Sequence, residues 1–187
     1  MRPGRTVILC GFSGAGKSET GRILARRMGR AFVDTDDAVA EKLGMSIADV
    51  FDSLGEKRFR EAEKEVIRLL PRDESLVVAV GGGAVVDPEN LNRLKRCGLL
   101  VYLRVTPETA RRRLQGGHRR PKLGPPADDP HASSIDMQAM AALMCEREPF
   151  YRLADDTVDT EGKTSEEVAV EIEQMVSADE KRAVDNR

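Results

Sequence analysis

Apolar residues gather in short runs along the chain: Thr6 to Cys10, Ala31 to Val33, Leu76 to Val80, Leu99 to Leu103 and a weaker Thr157 to Asp159. Each has the length of a strand, and Leu76 to Val80 is apolar at every position rather than at alternate ones. A strand loses that alternation when both of its faces are covered, as in a parallel sheet between helical layers. The longer stretches between the runs read as amphipathic helices; within 19–28, Ile23 and Leu24 fall on one face. Strand and helix in alternation predict a doubly wound α/β fold, a three-layer α/β/α arrangement. Two regions break the rhythm. Residues 116–131, rich in Gly, Pro, Arg and Asp, predict a mobile loop, and the charged 177–187 predicts a frayed end.

A chain of 187 residues suits one well-buried domain. Its 40% hydrophobic and 33% charged residues are those of a globular protein. A net charge of -2 offers no global attraction to nucleic acid, and the absence of Trp argues against a stacking platform for bases. Cys10, Cys97 and Cys145 are odd in number and widely spaced, so they read as reduced thiols rather than as zinc ligands or disulfides. No long apolar stretch suggests a signal peptide or membrane span. A soluble, cytoplasmic protein is expected, with no nucleic-acid or membrane partner.

Residues 11–18, Gly-Phe-Ser-Gly-Ala-Gly-Lys-Ser, fill every fixed position of the G-x-x-x-x-G-K-[ST] phosphate loop between a strand and a helix. Backbone N–H groups of such a loop face inward on phosphate oxygens, and the positive end of the following helix points at the same anion. Ser13, Gly14, Ala15, Gly16, Lys17, Ser18 and Glu19 are therefore candidates for nucleotide binding. Lys17 would reach the β and γ phosphates, and the Ser18 hydroxyl would take one position on Mg2+.

Beyond the loop, Phe32-Val33-Asp34-Thr35-Asp36-Asp37 ends a short strand in carboxylates. If that segment is extended, Asp34 and Asp36 share a face, one to hold Mg2+ through water and the other to take the proton of an attacking hydroxyl. Asp is equally a good helix N-cap, and the spacing leaves both readings open. Gly81-Gly82-Gly83 closes the run Leu76 to Val80. Three glycines at a strand end would let an oxygen-rich ligand approach backbone N–H donors, beyond the carboxyl ends of the strands where ligands of open α/β sheets sit.

Phosphate loop, Phe32-x-Asp34-x-Asp36, Gly55-Glu56-x-x-Phe59-Arg60-x-x-Glu63, Gly81-Gly82-Gly83, Arg120-Pro121 and Arg147-x-Pro149-x-Tyr151 follow one another in the order and spacing of shikimate kinases. The chain resembles that family from about residue 5 to 175. The resemblance implies a nucleoside-monophosphate-kinase-like P-loop fold with a five-stranded parallel sheet in the order 2-3-1-4-5. It also implies a substrate-binding subdomain at about 34–63 and a lid at about 116–131. The activity implied is transfer of the ATP γ-phosphoryl group to the 3-hydroxyl of shikimate, with Mg2+, on the route to chorismate and aromatic amino acids. A monomer is expected.

Carried over by resemblance, Asp36, Arg60, Gly81, Gly82, Gly83 and Arg147 bind shikimate, the two arginines on its carboxylate and Asp36 on the reacting hydroxyl. Glu63 fixes the Arg60 guanidinium and adds a polar contact, and Phe51 and Phe59 form an apolar wall. Lys17, Asp36 and Arg120 carry catalysis, Arg120 reaching across the phosphates from the lid. Ser18 and Asp34 serve the metal, and Arg113 packs against adenine. The lid departs from the family in Lys122, where leucine is common, and in a longer interval between Arg120 and Arg147. His118 and His131, both in the lid, read as surface residues. Met137, Met140 and Met144, at helical spacing, read as core.

Two alternatives differ in what they need. A kinase for another small hydroxy acid, such as gluconate, would keep the phosphate loop but has no reason to retain Arg60, the glycine triplet and Arg147 together. A non-catalytic, nucleotide-controlled shikimate-binding protein would have no need of Lys17, Asp36 and Arg120.

Overall fold

Val7, Ile8 and Leu9 have no exposed surface, and the strand that carries them, β1 (Thr6–Cys10), runs through the middle of the molecule. The computed structural model describes residues 5–72, 74–114 and 136–185, the side chains of 179–185 excepted. In chain order, β1 is followed by α1 (Lys17–Met28), β2 (Ala31–Asp34), α2 (Thr35–Leu43), α3 (Ile47–Ser53) and α4 (Gly55–Leu69). Then come β3 (Leu76–Ala79), a 3-10 turn at Ala84–Val86, α5 (Pro88–Cys97), β4 (Gly98–Arg104) and α6 (Pro107–Leu114). The chain finishes with α7 (Met137–Tyr151), β5 (Asp156–Asp159) and α8 (Ser165–Asp185).

All five strands are parallel, in the order β2-β3-β1-β4-β5. Ile8 lies level with Val78 on one side and Leu100 on the other, so the carboxyl ends of β1 and β3 open onto the same edge. The covered strands β1 and β3 are buried at every position, which accounts for their lack of polar alternation. β2, at the edge, is only partly buried. The main core fills both sides of the sheet, and Met140 belongs to it, with Met137 and Met144 packed against it.

A second, smaller core of Val39, Val50, Phe59 and Ala62 joins α2, α3 and α4. It makes these helices a unit beside the sheet edge, and α4 turns Arg60 and Glu63 back toward the strand ends.

Residues 177–185 continue α8 rather than fraying: the segment holds neither glycine nor proline, and Val168, Ile172 and Val176 anchor the helix before it. Asp36 does not extend the strand. β2 stops at Asp34, which caps α2 by accepting the Asp36 N–H at 3.0 Å, and Asp36 sits in the first helical turn.

Candidate active site

The phosphate loop turns on glycine. Gly14 and Gly16 have φ of 84° and 89°, values that an L side chain rarely adopts, and a Cβ on Gly14 would lie 2.7 Å from the Ala110 carbonyl oxygen. With Gly16 at its N-cap, α1 has no capping side chain, so its first N–H groups stay available to an anion. The Lys17 ammonium donates to the carbonyls of Gly11 at 2.8 Å and Phe12 at 3.0 Å, bracing the loop. The Ser18 hydroxyl donates to Asp34 Oδ2 at 2.6 Å, which puts a hydroxyl and a carboxylate side by side next to the loop.

Around these groups lies an open cleft of about 560 Å³, walled by Ser13, Gly14, Gly16, Lys17, Ser18, Glu19 and Asp34 on one side. Arg113, Lys163, Thr164 and Ser165 wall the other. Ala15 is not one of its walls: it is buried behind the loop, and its N–H is spent on the Phe12 carbonyl at 3.1 Å. Arg113 is tied down by the Thr160 carbonyl at 2.9 Å and the Thr160 hydroxyl at 3.1 Å, so its guanidinium plane is fixed at the rim.

Next to this cleft is a smaller cavity of about 70 Å³. Arg60, Glu63, Arg147 and the triplet Gly81-Gly82-Gly83 make its polar wall; Phe12, Ile47, Phe51, Phe59 and Leu143 make its apolar one. The Phe51 and Phe59 rings lie 4.8 Å apart. Ser13, Asp36 and Gly82 line both spaces. A group bound in the small cavity would thus meet the end of a phosphate chain bound in the cleft at Asp36.

Arg147 is only 8% exposed, yet among the described residues it has no carboxylate partner. Its Nη1 donates to the Gly82 carbonyl at 3.2 Å and its guanidinium lies 5.9 Å from the centre of the Phe12 ring. Arg60 is held more firmly, by Glu63 Oε2 at 2.6 Å and Glu56 Oε1 at 3.3 Å. Burial works against its charge, but the two carboxylates hold its pKa above the ordinary value. Glu63 is 1% exposed, and burial raises its pKa against the opposing pull of Arg60; nearby Asp36 pushes it the same way. Buried Cys10 has its thiol pushed up to about 12 by desolvation, so it is not a nucleophile.

The glycine triplet works differently from the sequence expectation. The Gly81 N–H is not offered to a ligand: it donates to the Thr35 hydroxyl at 3.0 Å. A Cβ on Gly81 would stand 2.6 Å from Glu63 Oε1 and 2.7 Å from Asp36 Oδ1, and one on Gly83 would stand 2.6 Å from Arg60 Nη2. The two glycines make room for the charged side chains of the site. Gly82 contributes its carbonyl, which accepts from both Arg147 and Tyr151.

Thr35 and Tyr151 were missed by the sequence reading, as were the cleft walls Thr164 and Ser165. Tyr151 stood inside a recognised motif without a role; nothing in the local pattern marked Thr35 beyond its place between two aspartates. Arg120, His118, His131, Lys122 and the whole 116–131 segment lie outside the described residues.

The Ser18 and Asp34 pair suits a hard divalent cation. Among the described residues no three His, Cys, Asp or Glu side chains gather as a metal site, so the protein would contribute one hydroxyl and one carboxylate. That sparse oxygen set is what Mg2+ takes when it keeps waters and nucleotide oxygens around it. No helix among the described residues is long and apolar enough to cross a membrane.

Residues 13–177 match the family model for shikimate kinase. A shikimate kinase from Geobacter sulfurreducens is 44% identical over 173 residues, which span 92% of this chain and 91% of the relative. Among solved structures, the shikimate kinase from Acinetobacter baumannii in complex with shikimate superposes with a TM-score of 0.83 at 32% identity, covering 95% of this chain and 96% of that one. A gluconokinase from Sinorhizobium meliloti reaches a TM-score of 0.59 at 16% identity over 99% of this chain and 98% of its own, a likeness of fold alone.

Proposed function

This chain belongs to the shikimate kinase family, ATP-dependent kinases of the shikimate pathway, and on that premise we propose how its residues share the transfer of a phosphoryl group to the 3-hydroxyl of shikimate. ATP occupies the larger cleft and shikimate the smaller cavity. The carrying observation is that Asp36, Ser13 and Gly82 wall both spaces. An acceptor hydroxyl beside Asp36 would face the terminal phosphate held at Lys17.

Arg147 and Arg60 receive the substrate carboxylate. That Arg147 lines the cavity and has no carboxylate of its own among the described residues supports this, because donors beyond the one given to Gly82 are open to an anion there. Arg60 is aimed by Glu63 and Glu56. Phe51 and Phe59 cover the apolar face of the ring. Asp36 orients the hydroxyl and takes its proton as the bond to phosphorus forms. Lys17 exchanges its two loop carbonyls for β and γ phosphate oxygens. Ser13, Gly14, Gly16, Ser18 and Glu19 surround the phosphates, and Arg113 packs on the base. Arg120, from outside the described residues, supplies a second positive charge on the transferring group.

Ser18 and Asp34 would hold Mg2+, which when bound neutralises charge on the β and γ phosphates. The Ser18 hydroxyl hydrogen is directed to Asp34, leaving a lone pair for the cation. The free thiols Cys10, Cys97 and Cys145 fit a reducing, cytoplasmic setting, and a monomer is the form proposed.

The deciding experiment measures ADP release from ATP and Mg2+ with shikimate, with gluconate and with neither, together with the product mass. Shikimate-dependent release with a gain of one phosphate is expected. Release dependent on gluconate instead, or none with either acid from protein that binds ATP, would overturn the assignment.

A further inference from the structure

Two donors meet at one acceptor beneath the substrate cavity. The Gly82 carbonyl receives the Tyr151 hydroxyl at 2.5 Å and Arg147 Nη1 at 3.2 Å. A carbonyl oxygen has two lone pairs, and these two bonds occupy both. Arg147 cannot turn all of its donors toward a ligand while it serves Gly82. If it were the only donor, leaving would strand a carbonyl beneath a largely buried side chain, and the cost of that would oppose substrate binding.

Tyr151 is built to stay. It is 1% exposed, its ring stacks on Tyr102 with centroids 5.1 Å apart, and the Tyr102 hydroxyl donates to Glu148 Oε2 at 2.6 Å. Burial holds the Tyr151 phenol well above its ordinary pKa, so it keeps the proton that it donates. Arg147 lies one helical turn earlier on the same face of α7, which explains how both reach one carbonyl.

We propose that Tyr151 is a positioning residue that keeps the Gly82 carbonyl satisfied while Arg147 swings to the substrate carboxylate. This rests on the reading of Arg147 given under the proposed function. Tyr151 touches no substrate; it sets how freely the carboxylate-binding arginine can move.

The test is a double-mutant cycle of Tyr151→Phe and Arg147→Ala in the full chain, read as KM for shikimate, KM for ATP and kcat. Tyr151→Phe is expected to raise the shikimate KM about tenfold, with the ATP KM changed by less than about twofold. On the Arg147→Ala background the same substitution should add nothing further, because no arginine remains to be released. An unchanged shikimate KM in the single Tyr151→Phe variant, or an equal rise with and without Arg147, overturns the proposal. If Arg147→Ala alone leaves the shikimate KM unchanged, the reading of Arg147 itself fails, a distinct result. Should Tyr151→Phe not fold, wild-type protein labelled with 13C at glycine carbonyls gives the answer. The Gly82 resonance should keep a hydrogen-bonded shift when shikimate is added, and movement to an unbonded value overturns the proposal.

Discussion

The Thr35 hydroxyl accepts the Gly81 N–H at 3.0 Å, and that bond ties the start of α2 to the end of β3 across 46 residues of sequence. Thr35 is fully buried and stands between Asp34 and Asp36. The two carboxylates are therefore placed against the glycine triplet by a residue that carries no charge itself.

Thr35→Val keeps the shape but removes the acceptor, leaving the buried Gly81 N–H unpaired. A loss of about 1–3 kcal/mol in stability is expected by denaturant titration, with a fall in kcat as Asp36 loses its support. Thr35→Ser keeps the oxygen and should stay close to wild type. Equal behaviour of the Val and Ser variants would remove the bond from the account.

Gly83→Ala separates stability from binding. The Gly83 φ of -112° suits alanine, so the backbone is not strained, but the new methyl would stand 2.6 Å from Arg60 Nη2. The guanidinium is the far end of a flexible side chain and can move aside. Thermal stability should hardly change, while the shikimate KM rises about tenfold from loss of a charged hydrogen bond. A shikimate KM equal to wild type would show that Arg60 does not need its present position.

Asp36→Asn tests the proton acceptor. Removing a general base typically costs about 10²–10⁴ in rate, so kcat should fall by that order while ATP binding, measured by calorimetry, is retained. Turnover at the wild-type rate would take Asp36 out of the mechanism.

For the metal, removing Mg2+ with EDTA should stop turnover. Asp34→Asn should then raise the Mg2+ concentration for half-maximal activity by about 10–100-fold, the usual cost of losing a carboxylate that supports a ligand. An unchanged Mg2+ dependence would place the cation away from the Ser18 and Asp34 pair.

Glu63 gives a pH signature. Burial raises its folded-state pKa above the ordinary 4.5, so the folded chain binds more protons here than the unfolded one once pH exceeds that value. Its contribution to stability is present in full below 4.5 and is lost as pH rises through the raised native value. The stability of wild type minus that of Glu63→Gln, followed by denaturant midpoints, should therefore fall as pH rises through this window. A difference that grows with pH would mean that pairing with Arg60 outweighs burial.

Much of the fold was legible because parallel strands covered on both faces lose polar alternation, and Leu76 to Val80 reads directly as such a strand. The strand order came from family resemblance rather than from periodicity, which says nothing about which strands pair. The phosphate loop was legible because glycine spacing encodes backbone conformation locally. Asp34 and Asp36 both line the larger cleft, but not through alternation along a strand: of the two readings that the spacing left open the structure takes capping, with Asp34 as the cap and Asp36 in the first helical turn. The glycine triplet was read as ligand-facing N–H donors, whereas Gly81 spends its N–H on Thr35 and gives its space to Glu63 and Asp36.

By itself, then, the sequence determined what depends on near neighbours: the strands, the phosphate loop at α1 and the stock of charged residues. Only the tertiary structure decided that Asp36 borders two cavities, that Arg147 lacks a carboxylate among the described residues, and that Tyr151 shares the Gly82 carbonyl with Arg147. The Tyr151 and Gly82 partners are 69 residues apart. Hydrogen bonds at such separations depend on how packed elements meet, and the energy that chooses them comes from burying the whole core rather than from any one segment.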